Sequence, residues 1–329
     1  MVTAAAPVTA SALFVVLLVI GVLPAAAAES DNTLKVDEGY NSLSEAAATQ
    51  DLFDMCASRD SEDTAIALIA AGANANGALG EGDTLLMVCS ESGREGGVAA
   101  LLSAGADVNA ASLSGTTALM SASKGGYIGI VKMLLAAGGN ASAIDAFGNT
   151  PLMIAAMNGH ASLIPLLSDA GASPNVTKPN GRSALMYAAN NGHDHVARAL
   201  VRAGADVEAR DPHDFSPLIT AVAAGQAHVV EVLLDSGARV NSQARGNVTA
   251  LHVAAAAGDL HMVRTLIAAG ADASMKTGGA DGVDAASVAL SGPQPATADR
   301  HAIAELLDSL SGAPRRRQRA AEGDDDQEL

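Results

Sequence analysis

Residues 150–171 read TPLMIAAMNGHASLIPLLSDAG, and segments of the same design recur every 33 residues along the chain. Each copy opens on a hydroxyl residue followed, after one spacer residue, by an aliphatic one. A glycine lies nine residues after each hydroxyl and another lies twenty-one residues after it. A fixed period of this length is typical of proteins that repeat one supersecondary unit along a line. The opening hydroxyl residues are Thr84, Thr117, Thr150, Ser183, Ser216 and Thr249.

Within one copy the residues predict a helix, a turn, a second helix and a finger. The hydroxyl of Thr150 can cap backbone amides, and Pro151 is harmless in a first helical turn. Gly159 ends this short helix, because glycine accepts left-handed backbone without strain. A second apolar stripe, ending at Gly171, predicts a longer helix. The Asp-, Asn-, Pro- and Gly-rich residues that follow predict a turn or hairpin, which we call the finger.

The pattern resembles the ankyrin repeat, a 33-residue unit with Thr-Pro-Leu-His, Ala-Ala, Gly-His and Gly-Ala signatures. Segments 149–152, 158–160 and 170–172 carry this resemblance most fully. It covers roughly residues 48–312 and implies an all-α repeat solenoid of about eight helix-turn-helix-finger units with degenerate capping repeats. Composition agrees, since a chain that is 49% hydrophobic but only 2% aromatic suits thin layers built on alanine.

The chain departs from the family pattern at three places. The fourth motif position, usually histidine, is mostly methionine here, and only His252 keeps the histidine. Pro165 lies inside a predicted second helix, where the missing N–H is expected to kink or weaken the helix by about 3 kcal/mol. Asp60 replaces a turn glycine in the first copy, and Gly-Pro-Gln-Pro at 292–295 interrupts the last, as expected of capping repeats.

The N-terminal residues differ from the repeats in kind. An apolar run at 13–23 is followed by three alanines at 26–28, which predicts a secretory signal cleaved after Ala28. No Lys or Arg precedes the run, so an uncleaved membrane anchor is the alternative. The predicted domains are therefore a signal peptide at 1–28, a linker at 29–47, an ankyrin repeat domain at 48–312 and a disordered charged tail at 313–329.

Further signals bear on where the protein resides. Sequons begin at Asn140, Asn175 and Asn247 in predicted fingers; they favour glycosylation in the secretory pathway, although ankyrin turns are rich in asparagine anyway. The terminal residues 326–329, Asp-Gln-Glu-Leu, resemble the tetrapeptide that retrieves proteins to the endoplasmic reticulum. The basic run at 315–319 fits a nuclear signal, a processing site or a disordered tail. We expect a secreted or secretory-pathway protein, with the endoplasmic reticulum lumen or a membrane-anchored form as alternatives.

The two cysteines occupy equivalent places in adjacent copies. Cys56 and Cys89 are 33 residues apart. Equivalent positions in stacked repeats are expected about 10 Å apart, beyond the roughly 7 Å between Cα atoms that a disulfide spans. The sequence therefore predicts two buried free thiols that act as small apolar residues.

No catalytic or metal-binding pattern stands out, and we expect neither enzymatic activity nor a cofactor. His195, His228 and His261 recur every 33 residues, but side chains one repeat apart cannot share a zinc ion whose ligands lie about 2.0–2.1 Å away. A net charge of −17 disfavours nucleic acid, which requires a basic face. No membrane contact is expected beyond the N-terminal apolar segment.

Another protein is the partner that the resemblance implies, bound by finger tips and the exposed faces of first helices. Aromatic and arginine side chains at such places are typical hot spots. The fingers also carry four cations, Lys178, Arg182, Arg210 and Arg245, which favour a partner with an acidic or aromatic-lined segment. The alternative is that these cations are solvated loop charges. Carried over position by position, with those cations included, the candidate residues are Phe147, Asn149, Met157, Lys178, Arg182, Tyr187, Asn190, Asn191, Arg210, His213, Phe215 and Arg245.

Overall fold

The structure is a computed structural model that describes residues 47, 49–51, 69, 73–278, 282–291 and 298–311. The predicted signal, nearly all of the linker, most of the first copy, the insertion in the last copy and the charged tail lie outside the described residues. The chain divides into two compact units with the boundary between Asn140 and Ala141. Each unit is described by itself.

The helices come in pairs joined by a tight turn, as the repeat predicts. The first unit contains α1 (Leu85–Glu91), α2 (Glu95–Ser103), α3 (Ala118–Gly125) and α4 (Ile128–Ala136). The second unit contains α5 (Pro151–Met157), α6 (Leu163–Asp169), α7 (Ala184–Asn191), α8 (Asp194–Arg202), α9 (Pro217–Ala223), α10 (Ala227–Asp235), α11 (Ala250–Ala257), α12 (Leu260–Ala268), α13 (Ala285–Leu290) and α14 (Ala298–Ser311).

The fingers are short hairpins between one helix pair and the next. In the first unit β1 (Ala78–Leu79) pairs antiparallel with β2 (Asp83–Thr84). In the second, β3 (Gln243–Ala244) pairs antiparallel with β4 (Val248–Thr249). Other fingers close with a single antiparallel bridge, as between Thr177 and Ser183. All of these pairings end on a capping residue, so the finger leads directly into a first helix.

The predicted hydroxyl caps are confirmed at all six positions. In the copy quoted above, the Oγ1 atom of Thr150 accepts a hydrogen bond from the backbone N–H of Met153 at 3.1 Å. The turn glycines also behave as predicted: Gly126 and Gly192 end α3 and α7 with φ of 75° and 78°. Hydroxyls at the other capping positions accept from the equivalent amides of Met87, Met120, Met186, Ile219 and His252.

Small residues fill the layer between neighbouring first helices. Ala155 and Ala156 on α5 and Ala188 and Ala189 on α7 are fully buried. A second set of fully buried aliphatic side chains lies on the second helices. Because alanine lets helices approach closely, each layer is thin and packs only on its neighbours. The second-helix set includes Leu163, Ile164, Leu167, Val196 and Leu200.

Asparagine side chains tie successive repeats together at the start of the fingers. Asn241 accepts a hydrogen bond from the backbone N–H of Asp272 at 2.8 Å and donates one to the carbonyl of Gly270 at 3.1 Å. One side chain thereby satisfies two backbone groups of the next repeat. The same pair of bonds is made by Asn109 and Asn175, and Asn76 makes the first of them.

Pro165 shortens its helix instead of kinking it. The other second helices from α2 to α12 have nine residues, whereas α6 has seven and begins only at Leu163. The proline is therefore the third residue of α6, where its backbone N–H would have no partner within the helix. α6 therefore begins two residues later than the other second helices, and residues 161–162 form a turn in place of its start.

Cys89 corrects a prediction, because it is disulfide-bonded and not a free thiol. The residue is fully buried on α1. The prediction assumed regular spacing between equivalent positions, and the first copy is where the sequence departs from regularity, with Asp60 in place of the turn glycine. The only other cysteine of the chain, Cys56, lies outside the described residues.

Replacing Asn241 with alanine is expected to lower the free energy of unfolding by about 2–3 kcal/mol, because two backbone groups of the next repeat lose their partner. Urea unfolding followed by circular dichroism measures this loss. Asn190→Ala is the matched control, since Asn190 is exposed on α7 and its side chain bonds only to its neighbour Asn191. Equal loss in both variants would contradict the assigned role of Asn241.

His252 makes part of the stability depend on pH. Its side chain is only 3% exposed and its Nδ1 atom lies 2.8 Å from the hydroxyl of Thr249. Burial lowers the pKa of His252 below its usual value, although backbone groups of Val283 and Met275 and the charge of Asp284 oppose this. Below about pH 6.5 the unfolded chain binds a proton that the folded chain resists. The stabilisation present above that pH is therefore lost as the pH falls.

We expect His252→Met to flatten the decline in stability between pH 7 and pH 5, because methionine is the residue that four other repeats place here. Thermal unfolding of both proteins across this range provides the measurement. The difference between the two curves isolates His252, since every other titrating group is shared. Parallel curves would show that His252 does not contribute.

Candidate partner-binding surface

Lys178 joins two neighbouring fingers of the second unit. Its Nζ atom donates a hydrogen bond to Oδ1 of Asn149 at 2.7 Å and lies 5.5 Å from the centre of the Tyr187 ring. The hydroxyl of Tyr187 accepts a bond of 3.3 Å from Nδ2 of Asn180. A cation over an aromatic face is held electrostatically as well as by its hydrogen bond. Asn149, Lys178, Asn180 and Tyr187 therefore form one group, which we call the lysine group.

Asp145 shapes the finger that carries Phe147. One carboxylate oxygen accepts from the backbone N–H groups of Phe147 and Asn149, at 2.8 and 2.7 Å, and the other accepts from Nδ2 of Asn149 at 2.7 Å. Such aspartate turns fix a loop without regular secondary structure. The finger holds Phe147 outward with 65% of the residue exposed. A large apolar side chain held in water by an ordered loop is the kind of group that contacts another molecule.

Arg210 bridges the next two fingers through its guanidinium. Nη1 donates to the backbone carbonyls of Asp214 and Gln243, at 2.7 and 2.9 Å, and Nη2 donates to the hydroxyl of Ser242. The carboxylate of Glu208 lies 3.7 Å away. Because its donors are used inside the chain, Arg210 braces the fingers and has little left to offer a partner.

His213 and Phe215 lie beside this brace. Asp211, itself buried, accepts bonds of 2.9 Å from the backbone N–H groups of both residues, so its role matches that of Asp145. The two ring centres are 6.3 Å apart. Arg245 is exposed, with its Nε atom 3.9 Å from Asp214. Arg210, His213, Phe215 and Arg245 thus form a second group, the arginine group.

The remaining predicted residues lie at the ends of the first helices. Asn191 donates from Nδ2 to the carbonyl of Met157 at 2.9 Å, and Nε2 of His193 lies 3.2 Å from the same oxygen. Asn190 donates to Oδ1 of Asn191 at 2.9 Å. Asn191 and His193 satisfy the last carbonyl of α5, so they stabilise the stack as well as lining its surface.

The structure brings the twelve predicted residues together only in part. Among the described residues, no hydrogen bond, ion pair or ring contact links the lysine group to the arginine group. Asp145 and Asp211 were missed by the sequence analysis, although an acidic residue two places before the selected finger position was the available signal. The cationic side chains with the fewest internal bonds are Arg182 and Arg245, which makes them the better candidates for contact with a partner.

The three sequon asparagines differ in what their side chains do. Both polar atoms of Asn175 are occupied by the bonds to Gly204 and Asp206. Asn140 is exposed, and its backbone N–H bonds to Asn109. Asn247 is exposed at a finger tip with a left-handed φ of 57°. The geometry therefore makes Asn247 the more accessible acceptor and Asn175 the one whose modification would disturb a bond between repeats.

Within the described ranges no group of three His, Cys, Asp or Glu residues is placed to hold a metal ion. The same residues contain no helix with the length and apolar character needed to cross a bilayer. His195, His228 and His261 are each exposed on successive second helices.

Comparisons with known proteins agree with this architecture. The profile described as "Ankyrin repeats (3 copies)" matches residues 52–145, 119–211, 152–244 and 211–277. Among solved structures, the human ASB11 ankyrin repeat domain matches with a TM-score of 0.62 and 23% sequence identity, covering 70% of this chain and all of that domain. This likeness concerns the fold, an all-α repeat solenoid. No match to a curated protein is found.

Arg210→Met is expected to lower the free energy of unfolding by about 2–3 kcal/mol, because bonds from a charged group to two carbonyls are lost. Arg182→Met should change it by less than about 0.5 kcal/mol, as is usual for a surface side chain. Urea unfolding of both variants tests the distinction. Similar losses in the two variants would contradict the assignment of Arg210 as the brace.

Proposed function

Since this chain belongs to the ankyrin repeat family, whose repeats serve as scaffolds for protein–protein interaction, we propose that it binds a partner protein through the fingers of its second unit and performs no catalysis. The observation that carries the proposal is Phe147, a phenylalanine 65% exposed on a finger ordered by Asp145. Arg182 and Arg245 add cations: among the described residues Arg182 forms no ion pair, and Arg245 has one exposed contact of 3.9 Å with Asp214. Aromatic and arginine side chains of this kind commonly dominate binding energy.

The proposed partner presents an apolar or aromatic segment flanked by carboxylates. Phe147 and Phe215 would take the apolar part, and Arg182 and Arg245 would take the carboxylates as charge-assisted hydrogen bonds. Lys178 and Arg210 act in a different way, by holding neighbouring fingers in place. This division follows from their internal bonds at 2.7–2.9 Å.

We place this activity in the secretory pathway or outside the cell. The apolar run at 13–23 with its alanine cleavage site supports export. The disulfide at Cys89 supports it independently, because disulfides persist in oxidising compartments and are rare in the cytosol. Asn247, exposed at a finger tip, is a suitable glycan acceptor. Retention in the endoplasmic reticulum lumen would follow if the Glu-Leu ending is read as a retrieval signal.

The second candidate is a membrane-anchored adaptor that keeps its N-terminal apolar segment. The apolar run at 13–23 would supply the anchor if it is not cleaved. Both candidates bind partners through the same fingers, so the distinction concerns how the repeats are displayed. Carbonate washing of membranes separates them, because a cleaved chain is released and an anchored chain stays with the lipid.

The triple variant Phe147→Ala/Arg182→Ala/Arg245→Ala is expected to lose at least about 30-fold in partner affinity, the effect of a loss of some 2 kcal/mol. Partners are first captured with the natural protein from its own cells, identified by mass spectrometry and remeasured by titration. Arg264→Ala is the control, since Arg264 is exposed on α12, outside the fingers. Unchanged affinity in the triple variant would exclude this surface.

Intact mass of the protein from its native cells tests the location. We expect loss of the first 28 residues, a glycan removed by Asn247→Gln but not by Asn175→Gln, and a gain of about 2 Da on reduction of one disulfide. A full-length chain without sugar would contradict the cleaved signal. Free thiols in the native protein would remove the support from Cys89.

A further inference from the structure

A groove of about 520 Å³ runs between α6 and α8 in the second unit. It is built by the second helices of two neighbouring repeats and by none of the finger residues discussed above. Its walls combine small residues with polar and charged ones, among them Ser162, Pro165, Ser168, Asp169, Arg198 and Arg202.

The groove lies beside the shortened start of α6. This helix begins two residues later than α8 does in its own repeat, and the turn residues Ala161 and Ser162 line the groove. The pyrrolidine ring of Pro165 is itself exposed in the wall. Among the described second helices from α2 to α12, only α6 is shortened in this way.

The groove carries cations that the surrounding chain leaves unpaired. Arg198 and Arg202 are exposed one turn apart on α8, and no carboxylate of the described residues lies within 4.0 Å of either guanidinium. His195 lies on the same edge of the helix. The nearby carboxylates are Asp169 on α6, Asp194 at 3.6 Å from His195, and Glu231 and Asp235 at the equivalent positions of α10.

A buried polar atom also lacks a partner in the groove. The hydroxyl oxygen of Ser168 is shielded from solvent and makes no hydrogen bond. Such an atom costs free energy unless a ligand or water satisfies it. Two unpaired guanidiniums and this hydroxyl match a ligand with several carboxylates, because arginine binds carboxylates through paired hydrogen bonds.

We propose that this groove binds the acidic segment 324–328 of the same chain, Asp-Asp-Asp-Gln-Glu. The segment carries four carboxylates. A tethered segment binds as an intramolecular event, at an effective concentration set by its linker, whereas a free acidic peptide must be supplied from solution. Covalent attachment therefore favours this segment over an acidic partner in solution.

The length of the intervening chain permits this contact. Twelve residues separate Ser311, the end of α14, from Asp324. Fully extended they reach about 40 Å, at roughly 3.3 Å per residue. α8 is three second helices before α14, and packed helices lie about 8–10 Å apart, so the groove is about 30 Å away. A chain of this length is therefore long enough to bring the acidic segment to the groove.

Carbodiimide cross-linking of the full-length chain tests the proposal. The variant Arg198→Lys/Arg202→Lys keeps both charges and supplies amines that couple to carboxylates in contact with them. Arg264→Lys is the matched control, because Arg264 occupies the position of Arg198 two repeats on, outside the groove. Peptide mapping should show at least about tenfold more coupling to residues 324–328 in the double variant than in the control. The signal should also fall sharply in 1 M salt.

The outcomes discriminate among the occupants. Coupling to the acidic segment within a monomer supports the proposal, and its loss on replacing Asp324, Asp325 and Asp326 with asparagine identifies the carboxylates involved. Coupling only in covalent dimers would assign the groove to the acidic segment of a second copy and overturn the proposal. Coupling only to Asp169, Glu231 or Asp235, or equal coupling in the control variant, would overturn it as well. Circular dichroism confirms that each variant is folded.

Discussion

The hydrogen bond between the hydroxyl of each N-cap residue and the amide three residues on sets the register of the whole repeat. In the copy that begins at Thr150, this bond fixes where α5 starts. Leu152, Ala155 and Ala156 then face the buried layer, and the chain must turn at Gly159, whose φ is 83°. A different starting residue would rotate the apolar positions out of the layer. The positions of the second helix and of the finger in each copy follow from this register.

Features that depend on residues within one copy could be predicted from the sequence. The caps, the turn glycines and the buried alanines are of this kind, and the structure confirms them. The asparagine bonds between repeats were readable too, since Asn109, Asn175 and Asn241 recur at multiples of 33. The prediction for Cys89 was wrong because it took the distance between Cys56 and Cys89 from the regular repeat, and the sequence of the first copy departs from that repeat. Pro165 was understood only in part, because a helix can start late instead of bending.

The candidate site was less predictable than the fold, and Arg182 and Arg210 show why. Both are arginines on fingers, and position alone assigns them the same role. The guanidinium of Arg210 donates to the carbonyls of Asp214 and Gln243 and braces the fingers. Among the described residues, no acceptor holds the guanidinium of Arg182 in this way. The difference lies in backbone groups of the next repeat, whose direction depends on how the finger folds. A sequence identifies the cations but not which of them the fold has already satisfied.

The acidic balance of the chain determines how Arg182 and Arg245 can contribute to binding. At a net charge of −17, most of the surface repels carboxylates, and at physiological salt the repulsion reaches only about 8 Å. A carboxylate-bearing partner therefore gains little from long-range attraction and must be selected by contact. At the fingers, the exposed ring of Phe147 provides this contact. Burying the ring is favourable only when the partner presents a complementary surface that excludes water from it. Arg182 and Arg245 then discriminate between partners of similar shape by requiring carboxylates beside the apolar segment. Specificity on this surface arises because neither the ring nor the cations suffice without the other.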